Sequence, residues 1–285
     1  MSNTSDNGRS ITVGGMAITA VWDGTLDATL ETIRGLDRAE GRRLIAVAQR
    51  DTGADPLVLP VRGFLIRSGG HLALVDTGSG TSKGASMGLL PASLAALGVA
   101  PAAIDSVILT HLHMDHIGGL IDDAGTAAFP NAELVVHHRE AEYFIDTPRE
   151  RLDARSVRSI DFVRKAVAAY GARVRRVADG EGLAGIAARL APGHTPGHTA
   201  WRITSKGETA VILGDVVHLA AIQLPLPLTP MIYDIDPDVA GRTRIALLDD
   251  IVQHSMMVAG AHLPSPGLGR IVRAGAGYAF EPSTG

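Results

Sequence analysis

Five histidines and two aspartates fall in four short clusters: His111-Leu112-His113-Met114-Asp115-His116, then His194, Asp215 and His262. Imidazole and carboxylate in that number are ligand enough for two metal ions. Histidines two apart, as at 111 and 113, can point to the same side of an extended segment or tight loop and bind one ion. Asp115 and His116 then turn toward a second position. Asp215 carries two oxygens and can bridge two cations about 3.5–4 Å apart, the separation usual in two-metal hydrolases. The spacing therefore assigns His111, His113 and His194 to one ion, Asp115, His116 and His262 to another, and Asp215 to both. Lone histidines are ordinarily surface or capping residues, which is the reading for His71, His137, His138 and His254.

Each cluster closely follows a short, largely apolar run, at 107–109, 186–190, 211–213 and 256–259, so four strand ends are expected to converge on one site. Elsewhere, 11–22 reads as a strand, 63–67 and 71–76 as a hairpin about Ser68-Gly69-Gly70, and 132–136 as a strand. Residues 201–204 and 209–213 read as a second hairpin about Lys206-Gly207. Helices are expected at 91–97, with Pro91 in the first turn, at 139–144, at 161–170 and at 238–253. In the last, Asp238 favours the N-terminal end while Ile245, Leu248 and Val252 recur at helical spacing. A glycine- and serine-rich loop follows Asp76-Thr77-Gly78. Segment 26–60 mixes helix formers at 39–49 with a Thr52-Gly53-Ala54-Asp55-Pro56 turn, and reads as a surface excursion or a dimer arm, which makes a homodimer a candidate assembly. Both halves place ligands in loops after strands. Two sheets packed face to face between helical layers would bury such strands, so the expected fold is α/β, a four-layer αββα sandwich, in a single domain over 1–285.

The composition agrees. A chain of 285 residues, 46% hydrophobic with mean hydropathy +0.17, can bury a substantial core. A formal charge of -4 leaves no electrostatic footprint for nucleic acid or an anionic membrane. With no cysteine, disulfides, thiolate zinc sites and cysteine nucleophiles are excluded. The polar start, 1–9, lacks the apolar core of a secretion signal, so a cytoplasmic location is expected. The apolar stretch 218–233 is broken by Gln223, Pro225, Pro227 and Pro230 and reads as a loop near the site, not a spanning helix.

His111-Leu112-His113-Met114-Asp115-His116, Pro192-Gly193-His194-Thr195-Pro196-Gly197-His198, Gly214-Asp215 and Gly260-Ala261-His262 together resemble the ordered motif series of the metallo-β-lactamase superfamily. Asp76-Thr77-Gly78 resembles that family's earlier aspartate motif, and the match spans 64–262. The resemblance implies the αββα sandwich and two divalent metal ions, often zinc; manganese, iron or cobalt would also suit such ligands. Asp215 resembles the bridging residue of lactonases, glyoxalase II-type thioesterases and phosphotriesterase-like members. Some true β-lactamases carry a cysteine ligand that this chain lacks, which argues against an antibiotic-destroying role. The tail 260–269 and Gly214-Asp215-Val216-Val217-His218 look most like the branch of methyl parathion hydrolase and quorum-quenching lactonases. In many acyl-homoserine lactonases a tyrosine stands three residues after the bridging aspartate; here His218 takes its place, and an imidazole can donate a hydrogen bond or a proton near neutral pH. The spacing of His198 from His194 suits a supporting position better than ligation, and Asp76 is the other candidate to steady a ligand.

The expected activity is hydrolysis by a metal-bridging hydroxide that opens a lactone or cleaves a neutral hydrophobic ester. Asp115 would accept the proton and pass one to the leaving alkoxide, and His218 would stabilise developing charge. Organophosphate triesters or aryl esters are the alternative substrates; a mononuclear-iron oxygenase and a glyoxalase II-like thioesterase are further alternatives on the same fold. The apolar loop 219–228, with Ile222, and Tyr233 beyond it are expected to wall the pocket, and Phe64, Leu120 and Phe144 to add to it; ordinary core or a dimer contact is the competing reading of the loop. Aromatics at 4% and sparse positive charge around the motifs favour a small, neutral, aliphatic substrate over glutathione thioesters or nucleic acid.

Overall fold

Strand alternation decides the architecture. In the computed structural model, which describes residues 6–80 and 86–284, β1 (Ser10–Val13) and β2 (Met16–Asp27) lead through α1 (Arg38–Thr52) to β3 (Val58–Ser68) and β4 (His71–Val75). Then follow α2 (Leu90–Ala96), β5 (Ser106–Ile108), α3 (Met114–Ile117), β6 (Glu133–His137), α4 (His138–Ala141), α5 (Ser156–Ala168) and β7 (Val174–Val177). The second half runs β8 (Gly182–Leu183), β9 (Ile186–Leu190), β10 (Thr199–Ser205), β11 (Glu208–Ile212), α6 (Ala220–Gln223), α7 (Pro237–Gln253), β12 (Met257–Ala259), β13 (Leu268–Ala274) and β14 (Gly277–Pro282). The polar residues 1–5 and positions 81–85 of the glycine- and serine-rich loop lie outside the described residues.

Two seven-stranded sheets result, in the orders β1-β2-β3-β4-β5-β6-β7 and β14-β13-β12-β11-β10-β9-β8. Along each strand, alternate side chains take opposite sides. Phe64, Ile66, Ala73, Val75 and Ile108 of the first sheet meet Trp201, Ile203, Ala210, Ile212 and Ala259 of the second in one inner core. Their neighbours Leu65, Leu74 and Val107 face outward and are covered by Leu90, Leu94, Ile160 and Val163 from α2 and α5. Val211, Leu213 and Val258 are likewise covered by Leu247, Leu248 and Ile251 of α7. This is the αββα sandwich.

Local differences from the sequence reading have plain causes. The strand expected at 11–22 is two, because the chain reverses at Gly14-Gly15. The helix expected at 161–170 starts at Ser156, where the Asp153 side chain accepts from the Arg155 and Ser156 amides and caps it. The helix expected at 139–144 is α4 followed by a π-helical stretch, Glu142–Asp146. Segment 26–60 holds α1, capped by Asp37 and ended by Gly53 in the left-handed conformation at φ 71°. Its inner side is used within the chain: Ile33, Leu44 and Leu59 pack on Leu219, Ile222 and Met231. No helix among the described residues is long and apolar enough to cross a membrane.

Candidate metal centre

The four clusters leave the ends of β5, β9, β11 and β12, where the two sheets are tied together: the Trp201 indole donates to the Leu109 carbonyl at 3.0 Å and the Thr199 amide to Thr110 at 2.8 Å. His111 Nε2, His113 Nδ1 and His194 Nε2 converge, with separations from His113 of 3.1 and 2.8 Å, and Asp215 Oδ2 lies 3.5 and 3.4 Å from His111 and His194. On the other side of the same carboxylate, Asp215 Oδ1 stands 3.0 Å from His116 Nε2 and 3.3 Å from His262 Nε2, with Asp115 Oδ2 3.6 Å from both. Within each set the ligand atoms lie within 4.8 Å of one another. The structure thus brings together all seven predicted ligands, in the two predicted sets.

The donor chemistry fits cations. His116 Nε2 and Asp215 Oδ1 are buried without a hydrogen-bond partner, a costly state unless something positive sits between them. The opposite ring nitrogen of four of the five histidines is already engaged, which fixes the ring and aims the other nitrogen inward. His116 Nδ1 donates to Asp76 Oδ2 at 2.8 Å, His194 Nδ1 to Asp234 Oδ1 at 3.1 Å and His262 Nδ1 to the Pro60 carbonyl at 2.7 Å. His111 Nδ1 lies 3.1 Å from Thr110 Oγ1, which donates to Asp76 Oδ2 at 2.7 Å. Asp76 therefore steadies one histidine of each set, directly for His116 and through Thr110 for His111. The exception, His113, turns Nδ1 inward and has the Phe144 ring edge-on at 6.1 Å.

Burial, then the neighbouring imidazoles, hold His111 and His113 well below the usual histidine range. For His116 burial also opposes charge, but Asp215, Asp76 and Asp115 outweigh it and hold the ring well above that range. Burial works against ionising Asp215, yet His116, His218, His262 and His111 keep it well below the carboxylate range. These shifts have one cause: the ionised Asp215 lies among buried imidazoles and favours positive charge on His116 beside it.

His198 supports without ligating. Its Nδ1 donates to the Ala191 carbonyl at 3.1 Å and its Nε2 accepts from the Asp215 amide at 2.9 Å. Burial drives its pKa down to about 3, so the ring is neutral. Gly214, at φ +54°, allows that approach; a Cβ there would meet His198 Nε2 at 2.6 Å. His218 is buried, with Nε2 2.9 Å from Asp215 Oδ2 and its ring 4.6 Å from that of His194. Its pKa is lowered, by burial first, and its backbone is pinned where the 218 and 219 amides donate to Gln223 Oε1 at 2.8 and 3.1 Å.

Of the expected pocket residues, half-buried Tyr233 stands beside the site, its ring 5.9 Å from His218 and under the Arg155 guanidinium at 4.8 Å. Phe144 backs His113 from the core. Phe64, Leu120 and Ile222 do not line a pocket. Phe64 falls on the inner side of β3 and is packed between the sheets, Leu120 is buried beneath the first sheet's outer face, and Ile222 is held against Leu44 and Met231. The sequence reading missed Asp234, Gln223 and Glu140. Glu140 is fully buried, its Oε1 accepting from the Leu112 amide at 2.8 Å and its Oε2 from Thr195 Oγ1 at 2.7 Å and the Gly197 amide at 3.1 Å. Burial pushes it up to about 7 against those three donors. The available signal was an acid on what would otherwise be the apolar side of a short helix.

The sequence profile of the metallo-beta-lactamase superfamily matches residues 57–250. The N-acyl homoserine lactonase AttM of Azorhizobium caulinodans is 33% identical over 114 residues, covering 39% of this chain and 40% of that protein. Among solved structures, the hydrolase AbOPH of the β-lactamase superfamily is 30% identical over 97% of both chains, with a TM-score of 0.89. AidC, a dizinc quorum-quenching lactonase, superposes over 97% of both chains with a TM-score of 0.87 at 24% identity, a likeness of fold.

Proposed function

The chain belongs to the metallo-β-lactamase superfamily and has the fold of its metal-dependent hydrolases, and on that premise, with its two candidate ligand groups, we propose that it is a dinuclear hydrolase that opens a lactone or cleaves a neutral hydrophobic ester. The observation that carries this reading is the division of seven ligands into two sets that share the two oxygens of Asp215. Two divalent cations held there, with zinc the first candidate, would supply hydroxide at neutral pH and polarise the scissile carbonyl. His111, His113 and His194 would hold one, and Asp115, His116 and His262 the other.

The remaining chemistry belongs to side chains. Asp115, whose side chain is 13% exposed, is the group to take up the proton released on attack and return it to the leaving alkoxide. A neutral His218 has one N–H; carried on Nε2, 2.9 Å from Asp215 Oδ2, it would be shared between that carboxylate and the oxygen beside it on which negative charge develops. Tyr233 presents an amphipathic ring next to it, suited to an apolar acyl chain. The homoserine lactonase relative supports a lactone as first substrate.

The test is metal analysis of the purified protein together with a panel of acyl-homoserine lactones, aryl esters and phosphotriesters. Two ions per chain and preferred cleavage of a lactone or neutral ester are expected. One iron per chain, or two ions with every panel member uncleaved, overturns the reading.

A further inference from the structure

Two buried ionisable groups outside the ligand set grip the ligand loops, and they grip different ones. Glu140, at the start of α4, binds the Leu112 amide, which lies between His111 and His113, and also Thr195 Oγ1 and the Gly197 amide beside His194. All three histidines of the first set therefore ride on loops fastened to one carboxylate. At the other end of the site, the fully buried Arg62 of β3 donates from Nη1 to the carbonyls of Leu263, at 2.8 Å, and Ala261, at 3.4 Å, the two residues flanking His262. Two residues earlier on the same strand, the Pro60 carbonyl accepts from His262 Nδ1 at 2.7 Å. Arg62 is neutralised by Asp6, whose Oδ2 lies 2.6 Å from Nη2, and Ser265 donates to the other Asp6 oxygen. Of the ligand loops, Arg62 holds only 261–263 and Glu140 only the 112, 195 and 197 positions; what the two sets share is Asp215, Asp76 and the 111–116 segment, which Glu140 holds at the amide between His111 and His113.

We infer that each ion's ligands are held by their own buried clamp, Glu140 for the set of His111, His113 and His194, and the Arg62–Asp6 pair for the set that includes His262, so that the two ions can be loosened one at a time. This rests on the dinuclear reading above. Glu140, Arg62 and Asp6 are positioning residues: they act through backbone carbonyls, amides and a hydroxyl of the ligand loops. Loss of such outer partners typically weakens metal binding roughly 10- to 100-fold. It also makes Asp6 a support of the second ion's site although it lies far from His262 in sequence.

The experiment titrates metal-depleted protein with zinc against a competing chelator, and with cobalt to follow the absorption of each site. His194→Ala and His262→Ala, each lacking one ligand, mark which binding step belongs to which ion. Glu140→Gln is expected to weaken the His194-dependent step roughly 10- to 100-fold and leave the His262-dependent step within about twofold. Asp6→Asn is expected to do the converse. Equal shifts of both steps in either variant, as general loss of structure would give, or no shift in either, overturn the inference. Should Asp6→Asn not fold, Ser265→Ala, which removes one hydrogen bond to Asp6 and leaves the ion pair, is expected to weaken the His262-dependent step alone by a smaller factor; an unchanged step overturns the role of the pair. A wild-type protein that binds one ion per chain would instead refute the dinuclear reading, so the two failures are distinct.

Discussion

Asp76→Asn isolates one carboxylate that serves both ions. Asp76 has φ 60°, a left-handed conformation that asparagine tolerates about as well as aspartate, so the backbone should not resist the change. The hydrogen bonds will. Oδ2 accepts from both His116 Nδ1 and Thr110 Oγ1, and Oδ1 from the Thr110 amide at 2.9 Å. An asparagine NH2 at the first position confronts two donors, and at the second it confronts a backbone N–H. Either orientation leaves at least one buried donor unsatisfied, which costs about 1–3 kcal/mol. At about 1.4 kcal/mol per tenfold, that is roughly 5- to 150-fold in affinity, spread over both ions because His111 is reached through Thr110. Chelator competition would read both binding steps, with circular dichroism as the check that the variant is folded. A folded variant with both affinities unchanged would refute the reasoning that Asp76 orients His116 and His111.

Three further outcomes are expected. Gly214→Ala should lower the melting temperature by several degrees, because its Cβ would press on His198 Nε2 at 2.6 Å and Thr110 at 2.9 Å in a left-handed conformation, a cost of about 1–3 kcal/mol; an unshifted melting curve would show that the contact relaxes. His218→Ala should keep both ions and lower kcat roughly 100-fold; loss of metal would make His218 a ligand instead. In metal-depleted protein, the folded pKa of His198, about 3, lies below the ordinary 6.5, so the stability it contributes is present above pH 6.5 and is lost as pH falls toward 3. Urea unfolding at pH 7 and pH 5 should show that loss in the wild type and less of it in His198→Gln; equal losses would contradict it.

The candidate ligands were legible because coordination demands particular side chains, and because His111 to His116 leave a strand together to enter both groups. The sandwich was legible for a similar reason: runs such as 211–213 bury both faces and need cover on each. What supports the ligands was far less visible. His262 is oriented by a carbonyl of Pro60, an atom that every residue carries, so no side-chain type marks it. Asp234 and Glu140 look like ordinary acids of a loop and a helix until the fold buries them. The pocket reading failed at Phe64 because strand parity turns it between the sheets, and at Leu120 because the turn Gly118–Leu120 after the ligand helix folds it into the outer core.

Every ion in the proposed centre would draw ligands from both halves of the chain; His113 and His194 alone stand 81 positions apart. In a protein without cysteine, that makes a cation the long-range cross-link that a disulfide would otherwise be, but a reversible one. Its strength is then set partly outside the molecule. Each tenfold rise in free cation above the dissociation constant adds about 1.4 kcal/mol per site to the cohesion of the two halves, and each tenfold fall removes as much. The stability of a chain so held would follow the metal supply around it.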